Sequence, residues 1–268
     1  MKHTEKLSQA RLRACLAGHP WQDRIVLLDT VDSTSTYAKK LAAEGAPHGT
    51  VVLANHQTGG RGRLGRSFSS PKGLGLYCSV ILRFSAAPAQ LLHLTPLAAV
   101  AAVRAVEAAA GISPDIKWIN DLIAERKKLG GILTELVLRQ QETVCVVGIG
   151  INCRQQAEDF PPDVRQMAVS LRQLGMPVER ERLAAALITQ LGRMAEACVS
   201  DPAEWMAVYR SKCITIGQNV QLLQNGNVRE AFAEDVDESG ALMVRFSDGT
   251  AERVFSGEAS VRGMYGYV

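Results

Sequence analysis

Near residue 211 the hydrophobic rhythm of this chain changes, and that change restricts the folds open to it. Beyond it helical patterning stops and short strands recur: Asn219–Leu223, Val228–Val236, Ala241–Phe246 and Thr250–Phe255. Turn-forming clusters separate them, at Asn225-Gly226-Asn227, Ser239-Gly240 and Ser247-Asp248-Gly249. Strands this short and this regularly punctuated predict a small β-barrel of SH3-like size. The division falls near Arg210 to Cys213, giving a larger unit over residues 1–210 and a smaller one over 211–268.

The larger part mixes helix and strand periods without a regular βαβ repeat. A short helix over Thr4–Leu16 should stop at Gly18. Strand Ile25–Leu28 leads into Asp32-Ser33-Thr34-Ser35-Thr36, whose side chains suit a helix N-terminus, and a helix Thr36–Glu44 should follow. Strands are expected at Thr50–Ala54 and Gly75–Arg83. An apolar helix over Pro96–Ala110 has Thr95 as its cap and Pro96 at its first position. A short strand Asp115–Trp118 precedes a hairpin of Gly131–Leu138 and Thr143–Ile151 that turns at Gln140–Glu142. Residues 154–170 read as loop, and helices are expected over Arg182–Val199 and Pro202–Tyr209. This order favours an α+β fold, with a mixed, partly antiparallel sheet flanked by helices, over a doubly wound one.

Bulk properties exclude several classes. Apolar residues make up 47%, enough for a real core. A net charge of +3 is too mild to argue for a nucleic-acid groove. The six cysteines form no C-x-x-C and several sit in apolar runs, which predicts buried free thiols and a reducing, cytoplasmic compartment. The five histidines form no H-E-x-x-H pattern. The N-terminus lacks an apolar signal core, and no uncharged apolar run approaches about 18 residues, so no membrane partner is expected.

The densest chemistry lies in Asn55–Arg66, NHQTGGRGRLGR. Glycines let backbone N–H groups approach a ligand, and alternating guanidiniums add forked donors for phosphate or carboxylate. The embedded Gly60-x-Gly62-x-x-Gly65 is not a dinucleotide fingerprint, because no helix follows it and no acid stands about 20 residues on. A P-loop is absent too. The remaining alternative, an idle solvated loop, is poorly served by so many arginines and glycines.

Three other clusters admit both a bland and a functional reading. Asp32-Ser33-Thr34-Ser35 is a helix cap, or a polar-ligand site at a helix N-terminus. In Lys117-Trp118-Ile119-Asn120-Asp121 the Asn-Asp pair is an Asx-rich turn, or orients a ribose hydroxyl or a metal. Arg126, Lys127 and Lys128 read as a basic turn, with Lys128 abutting an apolar, glycine-spaced strand from which it could reach inward. Gly148 and Gly150, inside Gly148-Ile149-Gly150-Ile151-Asn152, mark a bulge, tight packing or a close ligand. There is no Ser-His-Asp set, no paired catalytic acid and no metal cluster in the pattern. Cationic donors without a nucleophile suit positioning and charge stabilisation, with phosphoryl or adenylyl transfer the leading case.

In this order, DSTS (32–35), HQTGGRGRLGRSFSSPKGLGLYCSV (56–80), KWINDL (117–122), KKLGGILTEL (127–136) and GIGIN (148–152) resemble the bacterial biotin protein ligases, or biotin–[acetyl-CoA-carboxylase] ligases. The likeness covers roughly residues 25–155 with specific motifs, and the β-rich end more loosely. It implies a biotin/lipoate ligase-like fold with a C-terminal SH3-like barrel. It also implies ATP-dependent formation of biotinyl-5′-AMP, then transfer of biotin to a lysine of a biotin carboxyl carrier domain. ATP and Mg²⁺ are the implied cofactors.

By the same resemblance Ser33, Thr34, Ser35 and Gln57 hold the ureido ring of biotin. Gly60, Arg61, Gly62 and Arg63 close over the ligand, and Gly131 lies beside the biotin chain. Lys128, with Arg63, is the catalytic cation between carboxylate and phosphate. Arg66, Phe68, Asn120, Asp121 and Asn152 fall on the ATP side, without defining metal ligands. Glu258 and Arg262 are candidates on the barrel. The loop should be mobile when empty and ordered with ligand.

Two positions depart from the family pattern, Phe68 for a tryptophan and Ile119 for a proline, and neither removes a charge. Only 32 residues precede Ser33, too few for a winged-helix domain, so no DNA partner is expected. The chain should act as a monomer or homodimer. The alternatives are a lipoate-type ligase of the same fold, a biotin sensor that does not bind DNA, or a non-catalytic adaptor built on the barrel.

Overall fold

Two apolar runs, Gly75–Phe84 (β3) and Thr143–Asn152 (β7), are buried along almost their whole length and form the centre of the molecule. Strands covered on both faces are apolar on both faces, and these are. The computed structural model describes residues 6–138, 142–224, 227–255 and 260–263. Around the central pair lie β1 (Ile25–Val31), β2 (Thr50–Gln57), β4 (Asp115–Lys117), β5 (Asp121–Ala124) and β6 (Lys127–Leu138). The sheet runs β1-β2-β3-β7-β6-β5-β4. Only β1 and β2 are parallel, because helix α2 (Thr34–Ala43) connects them; every other neighbouring pair is antiparallel.

Helices cover both faces. On one face Ala38 and Ala42 of α2 press against Val52, Ile81, Val144 and Val146. On the other, α3 (Leu94–Ala110) and α4 (Arg180–Ser200) pack on each other and on the sheet. The alanine-rich face of α3 permits that close approach. The stretch Pro88–Ala110 is long and apolar enough to cross a membrane by length and composition, but most of it is buried inside the protein. Two short helices, α1 (Gln9–Cys15) and α5 (Ala203–Lys212), complete this part.

Several boundaries differ from the sequence reading for local reasons. Ser8 caps α1, which therefore starts later than Thr4, a residue outside the described ones. Ser33 caps α2, with its Oγ accepting from the Thr36 N–H, so Thr34 and Ser35 are already helical. Helix α3 begins at Leu94, and Pro96 lies within its first turn instead of opening it. Strand β5 escaped notice because four residues carry no clear period. It makes Glu125 and Arg126 a two-residue hairpin turn, with φ of 47° and 61°. Left-handed residues at both central positions are what such turns require. Lys127 and Lys128 are thus strand residues, not part of a basic turn. The expected turn at Gln140–Glu142 lies largely outside the described residues.

The last part of the chain forms a second sheet, antiparallel throughout. Its strands are β8 (Asn219–Gln224), β9 (Asn227–Val236), β10 (Leu242–Arg245), β11 (Ala251–Val254) and β12 (Ser260–Gly263), ordered β11-β10-β9-β8-β12. Strand β12 was not foreseen. This sheet is bonded to the first part around Trp118, whose Nε1 donates to the Gly240 carbonyl at 3.0 Å and whose backbone N–H donates to Thr215 Oγ1 at 2.9 Å. Gly240 adopts φ +85°, and a Cβ there would stand 2.7 Å from Pro96 Cγ. Gly240→Ala should therefore lower unfolding free energy by about 1–3 kcal/mol through backbone strain and overpacking. The check is a fall in the urea midpoint at constant m-value; an unchanged midpoint would contradict this account of the seam.

Candidate active site

Strand β7 forms the floor of a cavity of about 770 Å³, with Gly148, Ile149, Gly150 and Asn152 all lining it. Its glycines are there for the protein's own side chains. A Cβ on Gly148 would lie 2.4 Å from Ser35 Oγ, and one on Gly150 would lie 2.5 Å from the Phe68 ring. At about 3.3 Å rise per residue, Gly148 and Asn152 mark two stations some 13 Å apart. Hydroxyls gather at the first and cations near the second.

At the Gly148 station, Ser33, Thr34 and Ser35 from the start of α2 face the cavity with Gln57 from the end of β2. Gln57 Oε1 accepts from the Thr34 backbone N–H at 2.8 Å and from Thr34 Oγ1 at 3.0 Å. Its Nε2 donates to Ser70 Oγ at 2.7 Å. Ser79, fully buried in β3, donates to Thr34 Oγ1 at 2.8 Å and lies 3.1 Å from Ser35 Oγ. The sequence reading passed over Ser79; its only signal was a lone hydroxyl in the apolar run GLYCSVILR.

At the other station, Lys128 Nζ lies 2.6 Å from Asp121 Oδ1. Gly131 leaves room for that pair, since a Cβ there would be 3.3 Å from Asp121 Oδ1 and 3.4 Å from Lys128 Cε. The Lys128 backbone is held on both sides: its N–H donates to Met167 O at 2.7 Å, and its carbonyl accepts from Val169 N–H at 2.9 Å and from Asn152 Nδ2 at 3.3 Å. The Asn152 amide also donates to Val169 O, and its Oδ1 accepts from Gln155 Nε2. Asn152 thus positions Lys128 as well as lining the cavity.

The Gly/Arg loop spans both stations. Within it Arg63–Gly65 makes a single 3₁₀ turn with Leu64 at φ +54°, and Arg61 bridges to Ser67. Arg63 Nη1 donates to Asn120 Oδ1 at 3.1 Å, while Asn120 Nδ2 donates to the Ile132 carbonyl at 2.7 Å. Burial lowers the Arg63 pKa, opposed by the negative charge of Asp121. Arg61 Nη2 lies 3.5 Å from Glu135 Oε1, which also holds Lys39 Nζ at 2.8 Å.

Every site residue expected in the larger part of the chain lines this one cavity except Gly60. Gly60 is packed beneath the loop, where a Cβ would meet the Phe68 carbonyl at 2.3 Å. Phe160, Val164, Met167 and Ala168 line it as well, from a segment read only as loop. Glu258 lies outside the described residues, as does the side chain of Arg262. Among the buried cysteines, Cys78, Cys145, Cys153 and Cys198 have thiols pushed up to about 12 by burial, so none supplies a thiolate.

A cavity with fixed hydroxyls at one station and cations at the other suits a small ligand with a polar ring at one end and negative charge at the other. Known proteins make this specific. Residues 27–152 match the Biotin/lipoate A/B protein ligase family, and residues 215–262 match the Biotin protein ligase C terminal domain. The chain is 33% identical to the Bifunctional ligase/repressor BirA of Bacillus subtilis over 96% of its own length and 80% of that protein's. It is 32% identical to the Biotin–[acetyl-CoA-carboxylase] ligase of Mycobacterium tuberculosis, over 84% of each. The fold matches the biotin protein ligase of Aquifex aeolicus, solved with biotin and ATP, with a TM-score of 0.76 and 28% identity over 89% of this chain and 98% of that one. The chain belongs to the biotin protein ligase family.

Glu135 gives the loop an anchor that can be tested alone. Glu135→Gln should speed tryptic cleavage after Arg61, Arg63 or Arg66 about two- to fivefold, as expected for a partly exposed ion pair. Unchanged cleavage rates, followed by mass spectrometry, would rule the anchor out.

Proposed function

We infer that this chain activates biotin with ATP and transfers it to a lysine of a biotin carboxyl carrier domain. The observation that carries the reading is the two-station cavity, which pairs a polar ring site with a cationic one at a separation suited to a ring with a short acid chain. In the first step a biotin carboxylate oxygen bonds to the α-phosphorus, the bond to the β-phosphate bridge breaks, and pyrophosphate leaves. In the second, the carrier lysine amine attacks the acyl carbon, AMP leaves, and the amine loses a proton.

Two anions repel until cations neutralise them. We assign that task to Lys128 and Arg63, with Arg61 closing over the ligand and Arg66 on the phosphates. Ser33, Thr34 and Ser35 bind the ureido ring, and Gln57 orients Thr34. Gly60 and Gly62 let the loop lie close, and Gly131 flanks the acid chain. Phe68, Asn120, Asp121 and Asn152 form the nucleotide side. Closing the loop shields the mixed anhydride from water.

ATP enters with Mg²⁺. Among the described residues lining the cavity Asp121 is the single carboxylate, and no group of three potential metal ligands occurs among the described residues. That sparse donor set fits magnesium held mainly by phosphates and water, with Asp121 and Asn120 Oδ1 as the protein oxygens. Bound there, the ion neutralises phosphate charge.

We further propose that residues 1–210 form the catalytic unit and residues 211–268 an SH3-like barrel that borders the site. Val261 of β12, which lines the cavity, supports this. Free cysteines at all six positions support a reducing, cytoplasmic setting.

Mixing protein, ATP, Mg²⁺, biotin and a carrier domain should yield biotinylated carrier and pyrophosphate; absence of both overturns the reading. With lipoic acid in equal competition, biotin should prevail by at least about 100-fold, because donor groups on the ring meet fixed acceptors. Lys128→Met should cut adenylation about 100- to 1000-fold with an unchanged far-UV spectrum. Near-normal pyrophosphate release by that variant would remove Lys128 from the mechanism.

A further inference from the structure

We propose that buried Ser79 sets the hydrogen-bond polarity of the ring site, so that Thr34 and Ser35 present only acceptors to the ligand. The inference rests on the biotin reading above and assigns a positioning residue within it.

The orientations of the Thr34, Ser79 and Ser35 hydroxyls follow from one backbone group. The Thr34 N–H can only donate, and it lies 2.8 Å from the Gln57 side-chain amide. The amide atom facing it must therefore be Oε1. Thr34 Oγ1, 3.0 Å from the same oxygen, must then donate its single proton to Gln57. With that proton spent, Ser79 Oγ at 2.8 Å must donate to Thr34 Oγ1. With the Ser79 proton spent, Ser35 Oγ at 3.1 Å must donate to Ser79. The chain runs Ser35 to Ser79 to Thr34 to Gln57, and Gln57 Nε2 passes it to Ser70 and on to the Phe68 carbonyl at 3.0 Å.

Thr34 and Ser35 line the cavity with their protons turned away from it. What remains toward the ligand is lone pairs, which match a ring bearing N–H donors. Ser33 is the complement. Its Oγ accepts from the Thr36 N–H, leaving its own proton for a ring carbonyl. Gly148 belongs to the device, since a Cβ there would strike Ser35 Oγ at 2.4 Å and lie 3.4 Å from Ser79 Oγ. Removing the Ser79 hydroxyl frees the Ser35 proton to turn into the site, where it opposes a ligand N–H.

The test compares wild type and Ser79→Ala by calorimetric titration with biotin and with biotin methylated on one ureido nitrogen, and by steady-state kinetics. The substitution should weaken biotin about five- to tenfold, the loss expected for one hydrogen bond turned from match to mismatch. The methylated analogue, already short of one donor, should change less than twofold, so discrimination between the two falls. KM for biotin should rise while KM for ATP stays constant. A discrimination ratio unchanged within twofold, or equal rises in both KM values, overturns the proposal. Ser79→Thr, which keeps the donor, should restore biotin affinity if it folds; Ser79→Ala alone decides the matter if it does not. Wild type that fails to biotinylate any carrier would refute the functional reading instead, so the two failures are separable.

Discussion

The antiparallel register of β3 on β7 is the constraint from which the rest of the molecule hangs. It pairs Gly75 with Asn152 and Phe84 with Thr143, without a slip between them. A one-residue slip would turn every side chain to the other face. That register sets Ser79 opposite Gly148, so the buried hydroxyl and the gap that admits Ser35 share one level of the sheet. The β6–β7 pairing in turn sets Gly150 against Gly131, the two positions that make room for the Phe68 ring and for the Asp121–Lys128 pair. Helices on both faces bury the two strands and so hold the register.

Much of this was legible in the chain, and what escaped did so for physical reasons. Strands β3 and β7 are apolar on both faces and longer than most, so their runs stand out. The helices announce themselves by period, and the starts of α1 and α2 shift because the caps Ser8 and Ser33 compete with neighbours of similar capping strength. Strand β5 was invisible because a short strand held by its hairpin partner needs little propensity of its own. Site residues at glycine-rich or charged positions could be read from residue type. Ser79 could not, because its role depends on a neighbour 45 positions away, and nor could the wall from Phe160 to Ala168, which has no period.

Two cations of the site have carboxylate partners within the protein itself. Asp121 faces Lys128, and Glu135 faces Arg61. Matched charges keep a cationic cavity from repelling itself open. The pairing differs in kind at the two places. Glu135 is shared with Lys39 from α2, which links the loop to the helix whose first residues line the cavity with hydroxyls.

The three hydrogen bonds that fix the Lys128 main chain have a kinetic consequence. They make its Cα a stationary pivot, from which the ammonium swings on a flexible four-carbon stem. Exchanging Asp121 for another carboxylate then needs only a side-chain rotation, not a rearrangement of the backbone. In the role proposed for Lys128, its charge would follow the negative charge of the reaction without any movement of the sheet beneath it.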